Sequence, residues 1–175
     1  MTRVLLWDTN VWSHLLLGIP EKRAQVQARL KELAERYPGA TRATSRICIV
    51  EALVAARRLT DPQAAQDAEA LLQSEFGNAN LIVVEITDTV AGGDIQVADH
   101  AATLRAQMLV AAALRGGQPA GNDGGKLKLP DAIIAASCLA FSPPAVLVTE
   151  NVSDFRLIAE DGLITTVAGL TVEPL

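Results

Sequence analysis

The sequence predicts an α/β fold built around a mostly parallel sheet. Short apolar runs, typical of buried strands, alternate along the chain with longer segments in which apolar residues recur at helical spacing. Half of the 175 residues are hydrophobic and only 3% are aromatic, so Leu, Val, Ile and Ala must build the core. A chain of this length without a composition break predicts one domain over residues 1–175.

The first half of the chain predicts two strands separated by helices. Residues Val4–Trp7 are apolar and are stopped by Asp8, which is typical of a buried strand. Helices are predicted over residues 10–17, 21–37, 45–59 and 62–76, with Ser45 and Asp61 as N-caps of the last two. Residues 81–86 are mostly β-branched and predict the second strand.

The second half repeats this alternation around one unusual segment. A helix is predicted to begin at Asp94 or Asp99 and to end near residue 114, and another to begin at Pro130 and end near residue 139. Between them, residues 116–128 contain five glycines and one proline and predict a mobile insertion. Further strands are predicted over 145–149, 163–168 and 170–172.

Charge and hydropathy exclude several classes of protein. The 15 Lys and Arg residues against 20 Asp and Glu give a net charge of −5, which disfavours a purely electrostatic nucleic-acid binder. No apolar run reaches the roughly 20 residues that a membrane helix needs, and no leader pattern is visible, so we expect a cytoplasmic protein. Cys48 and Cys138 lie in apolar segments and are expected to be reduced core residues.

Asp8 ends the first predicted strand, in the sequence VLLWDTNVW. Ligands of an open parallel sheet bind beyond the carboxyl ends of its strands, so an acid at this point is placed for chemistry. An N-cap for the following helix explains the same residue equally well.

Glu51 interrupts an apolar helix, in the sequence SRICIVEAL. Helical spacing predicts that Ile47, Val50 and Val54 share its face, which would place the carboxylate in an apolar stripe. Burial of an unpaired charge costs on the order of several kcal/mol, which is comparable to the energy gained when a whole apolar side chain is buried. A partner must therefore compensate the charge of Glu51. That partner is either a metal ion or an arginine, from Arg57, Arg58 and Arg105.

Two further acids occur near predicted element ends. Asp131 falls in the first turn of a helix, where the helix dipole favours an anion. Asp154 follows the 145–149 strand, where it could equally cap a turn. Clustered carboxylates repel one another unless a cation neutralises them, and an all-oxygen site suits Mg²⁺ or Mn²⁺. Such ions usually meet substrate phosphates, so the four acids together indicate phosphodiester hydrolysis.

Four short motifs in order between residues 4 and 155 resemble a known family. They are Asp8-Thr9-Asn10 after an apolar strand, Ser45 with Glu51 in one helix, LPDAIIAAS, and TENVSDF. The set is similar to the PIN-domain nucleases and, more narrowly, to the VapC-type toxins of bacterial toxin–antitoxin pairs. The resemblance implies a three-layer α/β/α fold with one acidic pocket, and Mg²⁺- or Mn²⁺-dependent cleavage of structured RNA such as tRNA or rRNA. It also implies a homodimer and a cognate antitoxin.

The resemblance assigns roles residue by residue. Asp8, Glu51, Asp131 and Asp154 match the acidic quartet, with Asp8 and Asp131 as direct metal ligands. The supporting polar positions are Asn10, Thr149 and Asn151. The candidate RNA phosphate contacts, which come from charge alone, are Arg42, Arg46, Lys126, Lys128 and Arg156.

Three other functions stay open at this point. An aspartyl-phosphate phosphatase would carry a second Asp two residues after the first, where this chain has Asn10. A PIN-like nuclease of RNA processing, outside any toxin pair, would carry the same acids. A catalytically inactive module that binds RNA or protein would not need all four.

Overall fold

Five parallel strands form the central sheet of the protein. The computed structural model describes residues 2–114, 127–158 and 164–175. In the described part the sheet runs in the order β3-β2-β1-β4-β7, with every neighbouring pair parallel. β5 and β6 form a separate antiparallel pair. The strands are β1 Val4–Trp7, β2 Thr41–Ser45, β3 Leu81–Val84, β4 Val146–Thr149, β5 Arg156–Ile158, β6 Ile164–Thr166 and β7 Val172–Pro174.

Helices connect the strands and lie on both faces of the sheet, which confirms the predicted α/β/α architecture. A single π-helical turn, Ser13–Leu17, continues the first helix, and a 3₁₀ turn, Val152–Phe155, follows β4. The α-helices are α1 Thr9–Trp12, α2 Pro20–Arg36, α3 Arg46–Arg57, α4 Pro62–Phe76, α5 Val97–Leu114 and α6 Leu129–Cys138.

The middle of the core lies where β1 and β4 pair. Leu6 of β1 is in register with Ala43 of β2 and with Leu147 of β4, and all three side chains are fully buried. These are the apolar runs that predicted buried strands. Because β1 is the central strand, the residue that follows it, Asp8, lies at the middle of the sheet's carboxyl edge.

Helix α6 is buried along almost its whole length because its residues are small. Alanines and one isoleucine face the core, and the one polar group among them, the Ser137 hydroxyl, is satisfied. It donates to the Ile133 carbonyl at 2.8 Å, and its oxygen lies 2.9 Å from the Ser45 hydroxyl. Helix α6 packs against α3, and its first turn carries Asp131.

The strand β2 was not predicted. Its sequence, TRATS, is polar and small, and its strand conformation comes from pairing with β1 on one side and β3 on the other. Ser45 ends this strand immediately before α3, but its side chain makes no capping bond because its hydroxyl lies against Ser137.

The predicted apolar stripe around Glu51 is wrong. The buried residues of α3 are Cys48, Ile49, Ala52 and Ala56, whereas Val50 and Val54 are 47% and 42% exposed. The helix is apolar on nearly all sides, so spacing alone did not identify the face that packs. Small residues face the sheet, and Glu51 is half-buried at the edge of this packing.

Other boundaries differ by a few residues. α5 begins at Val97, between the two predicted starts, with Asp99 in its first turn. Most of the predicted insertion, residues 116–126, lies outside the described residues. Of its last two residues, Leu127 is buried and Lys128 precedes α6. None of the described helices is long and apolar enough to cross a membrane.

Candidate active site

The four predicted acids line one pocket. It opens at the carboxyl ends of β1 and β4 and has a volume of about 400 Å³. Asp8 reaches it from the end of β1, Glu51 from α3, Asp131 from α6 and Asp154 from the 3₁₀ turn after β4. The parallel sheet therefore brings together side chains that are as far as 146 residues apart in the sequence (154 − 8).

Asp8 is buried and is held by three donors. The Thr149 hydroxyl donates to its Oδ2 at 2.6 Å and the Asn10 amide to the same oxygen at 3.0 Å. The backbone N–H of Thr9 donates to Oδ1 at 2.6 Å, so Asp8 is also the N-cap of α1. The capping interpretation of this residue is confirmed, and the same residue also lines the pocket.

Glu51 is oriented by Thr9, the middle residue of the Asp8-Thr9-Asn10 motif. The Thr9 hydroxyl donates to Oε2 of Glu51 at 2.5 Å. Of the arginines considered as its partner, Arg57 binds Glu69 instead, with its guanidinium on both carboxylate oxygens. Glu51 is thereby directed into the pocket by a neutral hydroxyl.

Asp131 and Asp154 enter the pocket from the starts of two helical turns. Asp131 lies in the first turn of α6, behind Pro130, where the backbone dipole favours its charge. Asp154 lies in the 3₁₀ turn, and its N–H donates to the Asn151 carbonyl at 3.0 Å. Both side chains are half-buried.

The pocket disfavours negative charge. Burial, together with the neighbouring charges of Asp8, Asp154 and Glu51 and against a lowering effect from Lys128, raises the pKa of Asp131 to about 6. Burial also raises the pKa of Asp8, although its bonds from Thr149 and Thr9 oppose the shift. A cation among these carboxylates would relieve both effects.

The donor set fits a hard divalent cation, but the carboxylates do not form a closed cage. Among the described residues, no three His, Cys, Asp or Glu side chains are arranged to coordinate one ion. Mg²⁺ is commonly bound by only one or two carboxylates together with several waters, so it does not need a closed cage of protein ligands. Asp8 and Asp131 supply two carboxylates to the same pocket.

The predicted supporting residues fall where the motifs implied. Asn10 and Thr149 both bond to Asp8, and the Asn151 N–H donates to the Thr149 hydroxyl at 3.0 Å. Asn10 and Asn151 line the pocket. Thr149 is fully buried behind it.

The predicted RNA contacts are mostly elsewhere. Lys128 lines the pocket. Arg42 instead lies over the Trp7 ring, 5.5 Å from its centroid, and Arg46 pairs with Glu85. Arg156 is exposed and is not part of the pocket wall, and Lys126 lies outside the described residues. The charge of an arginine does not predict where its side chain lies, because the side chain pairs with an anion or aromatic ring close to its own helix or strand.

Sequence reasoning did not select Ser13, His14, Pro130 or Glu150, which also line the pocket. His14 and Glu150 both line the pocket, and Nε2 of His14 lies 2.8 Å from Oε2 of Glu150. The other oxygen of Glu150 accepts from Lys22 at 2.5 Å. The position of Glu150, between Thr149 and Asn151, could have drawn attention to it.

Fold and pocket together define a class: a three-layer α/β/α domain with an acidic pocket at the carboxyl edge of a parallel sheet. No family model and no curated protein matches the sequence. Solved structures do match. The chain is similar to a chain of DNA-bound VapBC from Salmonella typhimurium, with 22% identity, a TM-score of 0.57 and 98% of each chain covered.

Two further matches agree with this one. VapBC2 from Rickettsia felis, bound to a DNA fragment from its promoter, has 15% identity and a TM-score of 0.55 over 98% of each chain. A toxin–antitoxin complex from Klebsiella pneumoniae has 24% identity and a TM-score of 0.51, over 86% of this chain and 89% of the other. At such identities the similarity establishes the fold, and it confirms the PIN-like fold predicted from the four motifs.

Proposed function

We propose that the protein is a metal-dependent endoribonuclease and the toxin of a type II toxin–antitoxin pair. The observation that carries the proposal is the convergence of Asp8, Glu51, Asp131 and Asp154 on one pocket. Carboxylates clustered in one pocket repel one another, and a bound cation would offset that repulsion. The substrate class we propose is structured RNA such as tRNA or rRNA.

Asp8 and Asp131 are the proposed ligands of Mg²⁺ or Mn²⁺, and Glu51 and Asp154 complete the site directly or through water. When bound, the ion would activate a water and stabilise charge on the phosphoryl oxygens. The residues around the acids orient them. Thr149 and Asn10 direct Oδ2 of Asp8, and Thr9 directs Glu51, so the carboxylates are aligned before any ligand arrives.

The toxin part of the proposal is supported by the fold, since the matched structures are of VapBC and toxin–antitoxin complexes. We propose a cognate antitoxin as protein partner, together with a homodimeric state and a cytoplasmic location. Coexpression of the chain with the product of a small adjacent open reading frame tests the pairing. Relief of growth arrest and copurification are the expected results.

The nuclease part is tested by RNA cleavage with the purified, antitoxin-free protein. Total tRNA, rRNA and a generic single strand are incubated with Mg²⁺, Mn²⁺ or EDTA. We expect metal-dependent cleavage that both Asp8→Asn and Asp131→Asn abolish and that Asp94→Asn, at an exposed position away from the pocket, retains. Cleavage that persists in the two pocket variants would place the chemistry elsewhere. A folded protein that cleaves none of the RNAs would favour an inactive binding module.

A further inference from the structure

Glu150 joins two basic side chains at the wall of the pocket. Its Oε1 accepts from Nζ of Lys22 on α2 at 2.5 Å, and its Oε2 lies 2.8 Å from Nε2 of His14 in the π-helical turn. Each oxygen of one carboxylate thus has its own partner. This is also how two adjacent oxygens of a phosphate group are bound by two donors.

Stability does not explain this cluster. The side chains of His14, Lys22 and Glu150 are 25%, 33% and 43% exposed, and ion pairs that are open to solvent contribute little to folding. By contrast, the side chain of Glu173, which binds Arg29, Arg36 and Tyr37 away from the pocket, is only 10% exposed. The chain uses that buried cluster to fasten its elements together.

The backbone places Glu150 beside the acids. The Glu150 N–H donates to Oδ1 of Asn10 at 3.2 Å, and the amide of the same Asn10 donates to Asp8. His14 and Glu150 line the pocket with Asp8. His14 therefore lies at the pocket itself, and Lys22 is joined to the pocket wall through Glu150.

A polyanion that enters this pocket meets five carboxylates, because Glu150 adds to the four acids. A divalent cation would neutralise only part of that charge. RNA binding therefore needs basic groups around the metal site, and of the arginines predicted for this purpose none lines the pocket. Lys128 and His14 line the pocket, and Lys22 of α2 contacts Glu150 in the pocket wall.

We propose that Lys22 and His14 bind a phosphate of the RNA strand next to the phosphate that is cleaved, and that Glu150 occupies this phosphate position until RNA displaces it. This assignment rests on the proposed nuclease function and adds a second position at which the protein binds the RNA. In the free protein Glu150 keeps both basic groups aligned. On binding, the phosphate takes over the two contacts and the carboxylate turns towards solvent.

The test measures RNA binding apart from cleavage. Affinity of a labelled single-stranded RNA oligonucleotide is measured by fluorescence anisotropy over a salt series, in the cleavage-deficient Asp8→Asn background at fixed Mg²⁺. One lost phosphate contact lowers the slope of log affinity against log salt by about 0.7, which is about fivefold in affinity at 0.1 M salt. We expect this loss for Lys22→Gln. Lys31→Gln, an exposed lysine of the same helix, is the control and keeps the slope.

Glu150→Gln gives the opposite result, since it removes the competing carboxylate while it retains an oxygen that can accept from Lys22. We expect a several-fold gain in RNA affinity, against little change for Glu35→Gln, an exposed acid on α2. Melting temperatures of all variants are compared, and we expect them to agree within a few degrees. A purely structural ion pair would instead lower the melting temperature of Lys22→Gln and Glu150→Gln together.

Two results would overturn this assignment without contradicting the proposed nuclease function. One is a Lys22→Gln salt slope equal to that of Lys31→Gln, which would favour a contact with an acidic partner protein instead. The other is weaker RNA binding by Glu150→Gln. If the wild-type protein cleaves no RNA in the separate assay, the proposed function fails, and the assignment fails with it.

Discussion

The hydroxyl of Thr149 donates a hydrogen bond of 2.6 Å to Asp8, which precedes it by 141 residues. Thr149 is the last residue of β4, and Asp8 follows the last residue of β1. The two strands are parallel neighbours, so the bond exists because both end at the same edge. It directs the carboxylate, and it partly offsets the rise in the pKa of Asp8 that burial causes.

Thr149→Val removes this donor and keeps the shape of the side chain. We expect a cost of about 1–2 kcal/mol in the free energy of unfolding, because Asp8 retains its other donors. RNA cleavage should fall roughly 10- to 100-fold, as for other residues that orient a metal ligand. Urea unfolding and initial cleavage rates measure the two effects. Thr171→Val, at an exposed position, is the control and should change neither; unchanged cleavage in Thr149→Val would show that the bond does not orient Asp8.

Mn²⁺ should stabilise the folded protein, because the unfolded chain has no pocket to bind it. At a hundredfold excess over Kd the gain is about 2.7 kcal/mol, or a rise of roughly 5–10 °C in Tm for a chain of this size. Thermal melts with and without Mn²⁺ measure it. Asp8→Asn should lose the rise and Asp94→Asn should keep it. An equal rise in Asp8→Asn would exclude Asp8 as a ligand.

The pKa of Asp131 predicts a pH dependence of stability in the metal-free protein. Its folded pKa of about 6 exceeds the ordinary value of 3.8, so the folded state holds the proton more tightly than the unfolded chain does. The stability that this group contributes is present below about pH 4 and is lost as the pH rises through about 6. Asp131→Asn removes this titration. In EDTA, the Tm of Asp131→Asn minus the Tm of the wild type should therefore be larger at pH 7.5 than at pH 5.

A constant difference in Tm across this pH range would show that Asp131 ionises as it does in the unfolded chain. With Mn²⁺ the trend in the wild type should reverse, because the ion binds the deprotonated carboxylate. The rise in Tm caused by Mn²⁺ should therefore be larger at pH 7.5 than at pH 5.

Glu173 predicts a stability effect away from the pocket. It is buried in β7 and accepts from Arg36 at 2.7 and 2.8 Å, from Arg29 at 3.2 Å and from the Tyr37 hydroxyl at 2.7 Å. Glu173→Gln should cost about 1–3 kcal/mol, because charge-assisted bonds are lost at a buried position. Glu35→Gln should stay within about 0.5 kcal/mol. Urea unfolding measures both, and equal stabilities would show that the cluster is not a fastening between α2 and β7.

The parts of the fold that could be predicted from the sequence are those whose own residues decide the outcome. The apolar runs of β1 and β4 can only be buried, and Asp61-Pro62 begins α4 by local geometry, with Asp61 bonded to the Gln63 N–H. β2 could not be predicted, because TRATS becomes a strand only between two partners that are distant in sequence. The buried face of α3 was missed for a related reason, since every side of this helix is apolar enough to pack.

The residues of the pocket also include some that the sequence could predict and some that it could not. The acids and their polar supports occur in short motifs, so their positions could be read one motif at a time. His14 and Glu150 are 136 residues apart, and neither has a local reason to be beside the other. Their pairing follows only from the order of the strands, which brings the turn after β1 to the loop after β4.

The position of β1 between β2 and β4 also has a consequence during synthesis. Asp8 and Glu51 are made well before Asp131 and Asp154. The strand that must lie beside β1, Val146–Thr149, is likewise late. A nascent chain on the ribosome therefore carries no complete pocket until β4 and the 3₁₀ turn after it have been made. The proposed nuclease site would accordingly assemble only after synthesis has passed Asp154.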